Sequence, residues 1–181
     1  MTAPCTKLTG EDVKHLNYEV MSWCNNLMLY AICKRARWKQ TLEIGVGQYG
    51  SGVYLLGLLA KENDARHVAI DIHAGHISRA KLIIEEYDLP VDLLEYDSKA
   101  VSWGRRMQLV YVDGGHTTEQ VLGDIKNFAK WITRNGMMIF DDYGKRHLGV
   151  TQAVDQAYLE YKDRFEMIVW PAQCWAIWRR K

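Results

Sequence analysis

Strand-forming and helix-forming segments alternate five times along the chain, and this alternation constrains the fold more than any other feature. The strand-forming segments are short and apolar, and they cover residues 41–46, 67–71, 91–97, 108–113 and 136–142. The helix-forming segments cover residues 50–63, 75–89, a short stretch at 98–103, 117–132 and 148–162. The middle strands are nearly continuous apolar runs, as strands covered on both faces are. We therefore predict an α/β fold with a doubly wound, Rossmann-like sheet.

The two ends of the chain complete this prediction. Residues 165–170 and 174–180 favour strands and have no helix between them, so we expect a hairpin that makes one strand antiparallel. The sheet then has seven strands, mostly parallel. Near the start, Thr9 and Asp12 resemble a capping box, and apolar residues recur at helical spacing to about Arg37. We predict a single domain over 1–181, with one long N-terminal helix as an extension at 1–38 and a core at 39–181.

The composition limits the kinds of partner. There are 23 basic and 22 acidic residues and a formal net charge of +1, which gives no support to nucleic acid held by charge. The N-terminal segment lacks the basic-then-apolar order of a signal peptide, and no stretch approaches the roughly 20 apolar residues of a membrane span. The four cysteines show no metal-ligand spacing. We expect a cytoplasmic protein with no membrane partner.

A glycine-rich loop follows the first strand. Gly45, Gly47 and Gly50 fit the pattern G-x-G-x-x-G between a strand and a helix, and Asp71 follows Gly50 by 21 residues. Taken alone, this spacing indicates a dinucleotide such as NAD. Glu43 argues against NAD, because a carboxylate inside the strand suits an amino-bearing ligand better than a pyrophosphate. The chain also has no second domain for a hydride acceptor.

Acidic residues stand at the carboxyl ends of the predicted strands, where parallel sheets bind ligands. The segments concerned contain Asp71, Asp97-Ser98, Asp113-Gly-Gly-His116 and Asp141-Asp142. Three gathered carboxylates repel one another unless a cation lies between them, and oxygen ligands favour magnesium, manganese or calcium. Such a cation can bind a substrate hydroxyl, and Asp113 or His116 can take its proton.

Five segments carry a resemblance to a known family. They are "LEIGVGQYGSG", "AIDIH", "YDS", "VYVDGGHTTEQVLGDI" and "GMMIFDDYGKRHLGVTQAVD". Together they resemble the class I S-adenosylmethionine-dependent methyltransferases. Within this class the chain is most similar to the metal-dependent branch of small-molecule O-methyltransferases, which includes macrocin-type and catechol O-methyltransferase-like enzymes. The similarity covers about residues 40–180.

The resemblance implies a role for each matching position. The residues implied at the methionine part of S-adenosylmethionine and its loop are Glu43, Gly45, Gly47, Gly50 and Ser51. Asp71 would accept hydrogen bonds from the ribose hydroxyls, and Asp97 and Ser98 would lie at the adenine. The divalent cation, magnesium or else manganese or calcium, would be held by Asp113, Asp141 and Asp142. Asp113 would also border the cofactor and, with His116, serve catalysis.

Several alternatives stay open from the residues alone. His116 can cap the helix that begins near Thr117 or bond to the backbone. Asp142 can orient a loop, and Asp141 can bind the methionine amine of the cofactor. Some members of this branch carry the name hydroxylase, but no set of histidines and a carboxylate for iron stands out in the sequence. The Trp-rich segment 169–178 can pack inside the sheet or support a homodimer.

The expected activity is methyl transfer to a small hydroxylated acceptor, such as a sugar or a phenol. One alternative is methylation of nucleic acid or protein. The fourth strand is followed by Asp-Gly-Gly-His, however, and not by the Asn/Asp-Pro-Pro-aromatic motif of amino-methylating nucleic-acid enzymes. Another alternative is a non-catalytic cofactor-binding module on the same fold.

Overall fold

A sheet of seven strands forms the centre of the structure, a computed structural model that describes residues 25–144 and 147–181. The strands are β1 (Gln40–Ile44), β2 (Arg66–Asp71), β3 (Val91–Glu95), β4 (Met107–Val112), β5 (Ile132–Phe140), β6 (Phe165–Trp170) and β7 (Trp175–Arg180). The helices are α1, described over residues 25–36, α2 (Ser51–Glu62), α3 (Ala74–Tyr87), α4 (Thr118–Phe128) and α5 (Leu148–Tyr161). Single 3₁₀ turns lie at Ala129–Trp131 and Pro171–Gln173.

The strand order confirms the predicted doubly wound sheet. The order is β3-β2-β1-β4-β5-β7-β6, and β1, β2, β3, β4 and β5 pair in parallel. Strand β7 lies between β5 and β6 and is antiparallel to both, which confirms the predicted C-terminal hairpin. The chain order reverses between β1 and β4, so the ligand-binding crevice is expected above these two strands.

Helices cover both faces of the sheet because its central strands are apolar on both sides. On one face, Val110 and Val112 of β4 pack in a cluster with α4 and α5 residues such as Ile125 and Val154. On the other face, the alternate β4 residues Leu109 and Tyr111 pack in a cluster with α1 and α2. Since successive residues of a strand point to opposite faces, this pattern explains the continuous apolar runs in the sequence.

The C-terminal strand contributes its tryptophans to the core. Trp175 and Trp178 of β7 are both fully buried. The Trp178 ring lies 5.2 Å from the Phe140 ring and 5.7 Å from the Phe165 ring, centroid to centroid. Packing inside the sheet is therefore the role of these two side chains, and a homodimer stays a prediction.

Some element boundaries differ from the sequence prediction. Strand β5 begins at Ile132, not at residue 136, and the helix before it ends at Phe128. The pairing of β4 with β5 shifts register between Met107 and Leu109, so the early part of β5 is an irregular extension. The predicted start of α1 at Thr9 and Asp12 lies outside the described residues. Within the described ranges, no helix combines the length and apolar character needed to cross a bilayer.

The short helix predicted at 98–103 is absent, and turns take its place. The backbone groups there bond to other partners. Asn127 of α4 donates from its side-chain amide to the carbonyl oxygens of Ser98 and Val101, at 2.8 and 2.9 Å. The backbone N–H of Ala100 donates to the carbonyl oxygen of Asp97 at 2.9 Å. This segment is thus shaped by its contact with α4 and not by its own helix propensity.

We predict that Trp178→Ala lowers the free energy of unfolding by about 3–5 kcal/mol, because it removes a fully buried ring from an aromatic cluster and leaves a cavity. Urea unfolding followed by circular dichroism measures the change. Leu159→Ala is the matched control, since Leu159 is 69% exposed and should change stability by no more than about 0.5 kcal/mol. Equal stability of the two variants would contradict the placement of β7.

Candidate active site

A cleft of about 670 Å³ opens above the carboxyl ends of the central strands. Its size is within the usual range for a small-molecule site. All of the predicted site residues line it except Gly50, namely Glu43, Gly45, Gly47, Ser51, Asp71, Asp97, Ser98, Asp113, His116, Asp141 and Asp142. Gly50 instead ends the loop as the N-cap of α2. The topology therefore gathers residues from distant parts of the sequence, while the role of each stays a prediction.

Gly45 lets the loops after β1 and β4 lie against each other. Its φ is +91°, in the region that favours glycine, and a Cβ there would collide with the backbone carbonyl of Asp113. Its N–H donates to the carbonyl oxygen of Ile70 at 2.8 Å, which extends the ladder between β1 and β2. Any side chain at residue 45 would separate the two loops that border the cleft.

Glu43 is buried below the glycine loop. The residue is only 2% exposed, and a Cβ on Gly52 would collide with its carboxylate, so the first turn of α2 packs directly on this side chain. Burial raises the pKa of Glu43 against the opposing influence of His67, whose Nε2 lies 3.5 Å from Oε2. That long contact is not a hydrogen bond, and Oε2 accepts none from the residues that the structure describes. A buried carboxylate oxygen in this state suits a cationic ligand group.

Asp71 holds the glycine loop in place. Its Oδ2 accepts hydrogen bonds from the backbone N–H groups of Val46 and Gly47, at 2.9 and 3.3 Å. Its Oδ1 accepts from the N–H of His73 at 2.8 Å, and His76 Nδ1 lies 3.0 Å from Oδ2. Burial opposes ionisation of Asp71, but these hydrogen bonds outweigh it and hold the pKa below its usual value. The charged carboxylate thus organises the glycine loop.

Asp124 is a cleft residue that the sequence analysis missed. Asp124 is only 2% exposed, and its Oδ1 accepts a hydrogen bond of 2.5 Å from Ser98 Oγ. Burial raises the pKa of Asp124 to about 6. The sequence did contain a signal for Asp124, namely its helical spacing from apolar residues. It shares the buried face of α4 with Val121, Ile125 and Phe128. An acidic residue on such an apolar face indicates a paired or functional side chain.

Asp141 connects three elements at the end of β5. Its Oδ2 accepts hydrogen bonds from the Tyr111 hydroxyl at 2.6 Å and from Asn25 Nδ2 of α1 at 3.0 Å. Its Oδ1 accepts from the backbone N–H of Asp142 at 2.8 Å. Burial raises the pKa of Asp141, and burial together with the nearby carboxylates raises that of Tyr111 well above 10. The Tyr111 hydroxyl therefore stays protonated and available as a donor.

His116, Asp142 and His147 meet at the rim of the cleft. His116 Nε2 lies 3.0 Å and His147 Nε2 lies 3.6 Å from Asp142 Oδ2. The two imidazole rings are stacked, with centroids 4.0 Å apart and planes inclined by 13°. Thr117, not His116, caps α4 through a capping box with Gln120, so the alternative of a helix-capping His116 is wrong.

This triplet differs from the metal set implied by the resemblance. Among the residues that the structure describes, His116, Asp142 and His147 form the group of three potential metal ligands, and their donor atoms lie within 4.8 Å of one another. It shares only Asp142 with the predicted aspartates. His147 escaped the sequence analysis because it lies 31 positions beyond His116 with no recognisable ligand spacing. Metal binding by Asp113 and Asp141 stays a prediction.

Residues 42–143 match a family model described as a methyltransferase domain, which accounts for more than half of the chain. The chain belongs to this methyltransferase family. The prediction of an S-adenosylmethionine-dependent methyltransferase of class I is thereby confirmed. A search of curated proteins finds no match.

Solved structures share the fold of this methyltransferase. The SAH-bound methyltransferase PaMTH1 from Podospora anserina is 15% identical, with a TM-score of 0.68, 99% of this chain covered and 100% of the other. The O-methyltransferase NovP is 16% identical, with a TM-score of 0.71 and coverages of 90% and 80%. CalS11, a TDP-rhamnose 3'-O-methyltransferase of calicheamicin biosynthesis, is 16% identical, with a TM-score of 0.70 and coverages of 98% and 88%. At these identities the likeness shows the fold.

We predict that Asp124→Asn changes how the stability of the methyltransferase depends on pH. The folded protein favours protonated Asp124, because its pKa is about 6 against 3.8 for an ordinary carboxyl. The stability conferred by protonation is therefore lost as the pH rises from about 4 to about 6. The Asn side chain keeps an acceptor for Ser98 and carries no charge, so the variant should gain up to about 3 kcal/mol relative to the parent over that range.

Urea unfolding at pH 4.5, 5.5, 6.5 and 7.5 checks this prediction. Asp163→Asn is the control, because Asp163 is exposed and lies outside the cleft, so its replacement should change stability by no more than about 0.5 kcal/mol at each pH. A constant difference for Asp124→Asn as well would show that Asp124 does not carry the pH dependence.

Proposed function

We propose that this methyltransferase moves the methyl group of S-adenosylmethionine to a hydroxyl oxygen of a small molecule, with the help of a divalent cation. The observation that carries the proposal is the single cleft that holds Glu43 and Asp71 at one end and Asp113, His116 and Asp142 at the other. Glu43 and Asp71 suit the methionine and ribose parts of the cofactor. Asp113, His116 and Asp142 suit an acceptor hydroxyl that must lose a proton during the reaction.

The cofactor half of the proposal rests on Glu43, which is buried near the end of β1, and on Asp71, which is half-buried at the end of β2. Glu43 presents a buried carboxylate oxygen with no hydrogen bond from the described residues, which suits the ammonium of the methionine part. Asp71 stays ionised and can accept further hydrogen bonds from ribose hydroxyls. Asp97 and Ser98 follow β3 at the edge of the same cleft, where the adenine is proposed to lie. The SAH-bound state of PaMTH1, which shares this fold, supports a cofactor of this chemical type.

The acceptor half rests on the residues that follow β4 and β5. A cation bound there would lower the pKa of the acceptor hydroxyl and orient it. His116 is proposed as the general base, because its Nε2 is held 3.0 Å from the Asp142 carboxylate, which stabilises the imidazolium that forms on proton uptake. Asp113, which lies between the glycine loop and His116, is proposed to position the acceptor oxygen. As the oxygen–carbon bond forms and the sulfur–carbon bond breaks, the proton passes to His116 and S-adenosylhomocysteine leaves.

A small acceptor is favoured over nucleic acid. The chain carries a formal net charge of only +1, and the cleft is rich in carboxylates that would repel a phosphate backbone. The similarity to CalS11, a TDP-rhamnose 3'-O-methyltransferase, supports a sugar hydroxyl as one acceptor class. A phenol is the second acceptor class that this chemistry allows.

We predict that calorimetric titration with S-adenosylmethionine shows binding both with magnesium and with EDTA, and that Asp71→Ala weakens it. The loss of a charge-assisted partner of the ribose should cost about 1.5–3 kcal/mol, or roughly a 10- to 150-fold rise in Kd. Asp163→Ala is the control, because Asp163 is an exposed aspartate that does not line the cleft. Absence of binding by the parent protein would refute the cofactor, and an unchanged Kd for Asp71→Ala would refute the ribose contact.

We also predict that Asp113→Asn reduces methyl transfer by about 100-fold or more while the Kd for S-adenosylmethionine stays within about threefold. Formation of S-adenosylhomocysteine is measured with a catechol, a simple phenol and a nucleotide-linked deoxysugar as acceptors. Full activity of Asp113→Asn would remove Asp113 from the mechanism. Cofactor binding by the parent without transfer to any member of either acceptor class would contradict the small-molecule part of the proposal.

A further inference from the structure

We propose that His116, Asp142 and His147 form a metal site that takes a first-row transition-metal dication, such as Fe²⁺, Co²⁺ or Zn²⁺, in preference to Mg²⁺. The triplet includes one of the three aspartates implied by the resemblance and two histidines that the resemblance leaves out as ligands. Metal binding by these residues does not depend on the proposed function. A catalytic role for the metal does rest on the proposed function, since the site borders the acceptor end of the cleft.

The distances between the donor atoms suit one ion. A transition metal lies about 2.0–2.1 Å from an imidazole nitrogen, so neighbouring ligand atoms around it are roughly 3.0–3.4 Å apart. The separations from Asp142 Oδ2 are 3.0 Å to His116 Nε2 and 3.6 Å to His147 Nε2. All three donor atoms lie within 4.8 Å of one another, so small movements of the two imidazole side chains would complete the arrangement. The two stacked rings already present the same nitrogen, Nε2, to the same oxygen.

The chemistry of the donors decides which metal is favoured. Imidazole is a ligand of intermediate softness that suits zinc, iron, copper and nickel, whereas magnesium and calcium prefer oxygen. Two of the three donors here are imidazole nitrogens. Magnesium also gives up its water ligands reluctantly and is held mainly through carboxylates. A set of two histidines and one carboxylate is therefore expected to discriminate against it.

The fold holds His147 next to His116 through the packing of α5. A Cβ on Gly149, in the first turn of α5, would collide with the carbonyl oxygen of His116, so the helix begins in direct contact with the loop after β4. His147 is the N-cap residue of α5, but its side chain makes no capping hydrogen bond. That side chain is turned toward Asp142 instead. The position of α5 thus brings the second histidine to the site.

Asp142 is held by its own backbone and by the loop that follows. Its φ of +58° lies in the left-handed region, which few residues other than glycine adopt and which here directs the turn after β5. Thr151 of α5 receives a hydrogen bond on Oγ1 from the N–H of Gly144 at 2.8 Å and donates to the carbonyl oxygen of Gly144 at 2.9 Å. These bonds tie the turn to the helix that carries His147. Such support of the ligands by surrounding contacts is typical of built metal sites.

The site leaves room for a further ligand. His116 and His147 have side chains that are 40% and 37% exposed, while that of Asp142 is 11% exposed. Three protein ligands leave at least one coordination position open, as catalytic metal sites do. Since His116 and Asp142 line the cleft, an acceptor hydroxyl could reach that position. In that case the metal would compete with the proton for His116, and Asp113 would be the base.

A second pair of histidines in the same protein provides a matched control. His73 and His76 are also stacked, with centroids 4.3 Å apart, and His76 also contacts an aspartate, Asp71. However, Asp71 is occupied by backbone N–H groups, and these three residues do not form a convergent ligand group within the described part of the chain. Replacement of His73 therefore tests whether any stacked histidine pair is sufficient.

The experiment is a titration of EDTA-treated, dialysed full-length protein with Co²⁺, followed by the visible d–d absorption of the bound metal. We expect saturable binding of one equivalent that a 100-fold excess of Mg²⁺ does not displace and that Zn²⁺ does. His147→Ala and Asp142→Asn should each weaken Co²⁺ binding by about 100-fold or more, and His73→Ala should leave it unchanged. Circular dichroism of each variant checks that it is folded.

Several outcomes would overturn the proposal. They are the absence of a cobalt spectrum, displacement of cobalt by magnesium, equal effects of His147→Ala and His73→Ala, and a thiolate-to-cobalt charge-transfer band, which would place the metal at a cysteine. Calorimetry with S-adenosylmethionine on the same samples separates the two proposals. If the parent protein binds S-adenosylmethionine but not cobalt, the metal site alone is refuted. If it binds cobalt but not S-adenosylmethionine, the proposed function alone is refuted.

Discussion

The close contact between Gly45 and the backbone carbonyl of Asp113 is the constraint on which the cleft depends. Strands β1 and β4 are neighbours in the sheet, and the N–H of Asp113 donates to the carbonyl oxygen of Ile44 at 2.8 Å, just beyond the ends of both strands. With no side chain at residue 45, the two loops continue from the sheet in contact. One loop then offers the proposed cofactor residues, and the other offers Asp113 and His116. The separation of the two loops that border the cleft is thus set by a single backbone approach.

Two carboxylates, the half-buried Asp71 and the buried Asp141, support this arrangement by accepting hydrogen bonds from backbone and side-chain donors. Asp71 fixes the glycine loop through the N–H groups of Val46 and Gly47, and Asp141 connects β5 with Tyr111 and with Asn25 of α1. Both would otherwise pay the cost of burying a charge without partners. The acids at the ends of β2 and β5 therefore have a structural role. They stiffen the loops that carry the remaining site residues, which limits the reorganisation needed when a ligand binds.

The sequence allowed much of the fold to be predicted, because its patterns are local. Alternating apolar segments and the hairpin around Pro171 indicated the sheet, and both are present in the predicted order. The helix predicted at 98–103 is wrong, since Asn127 takes the carbonyl groups of Ser98 and Val101 that a helix would use. Asp124 and His147 were missed for the same kind of reason. Their partners, Ser98 and Asp142, come from other elements, and no local pattern reveals such contacts.

The sequence by itself determined that this chain forms a doubly wound sheet with acidic loops along one edge, because strand periodicity and the residue that follows each strand are properties of neighbouring residues. Only the tertiary structure decided which of those side chains meet. The packing of α5 against the loop after β4 brings His147 to Asp142 and His116, and α1 brings Asn25 to Asp141. Contacts between helices and loops far apart in the chain depend on how whole surfaces pack, and that packing is decided by the complete set of side chains at each interface.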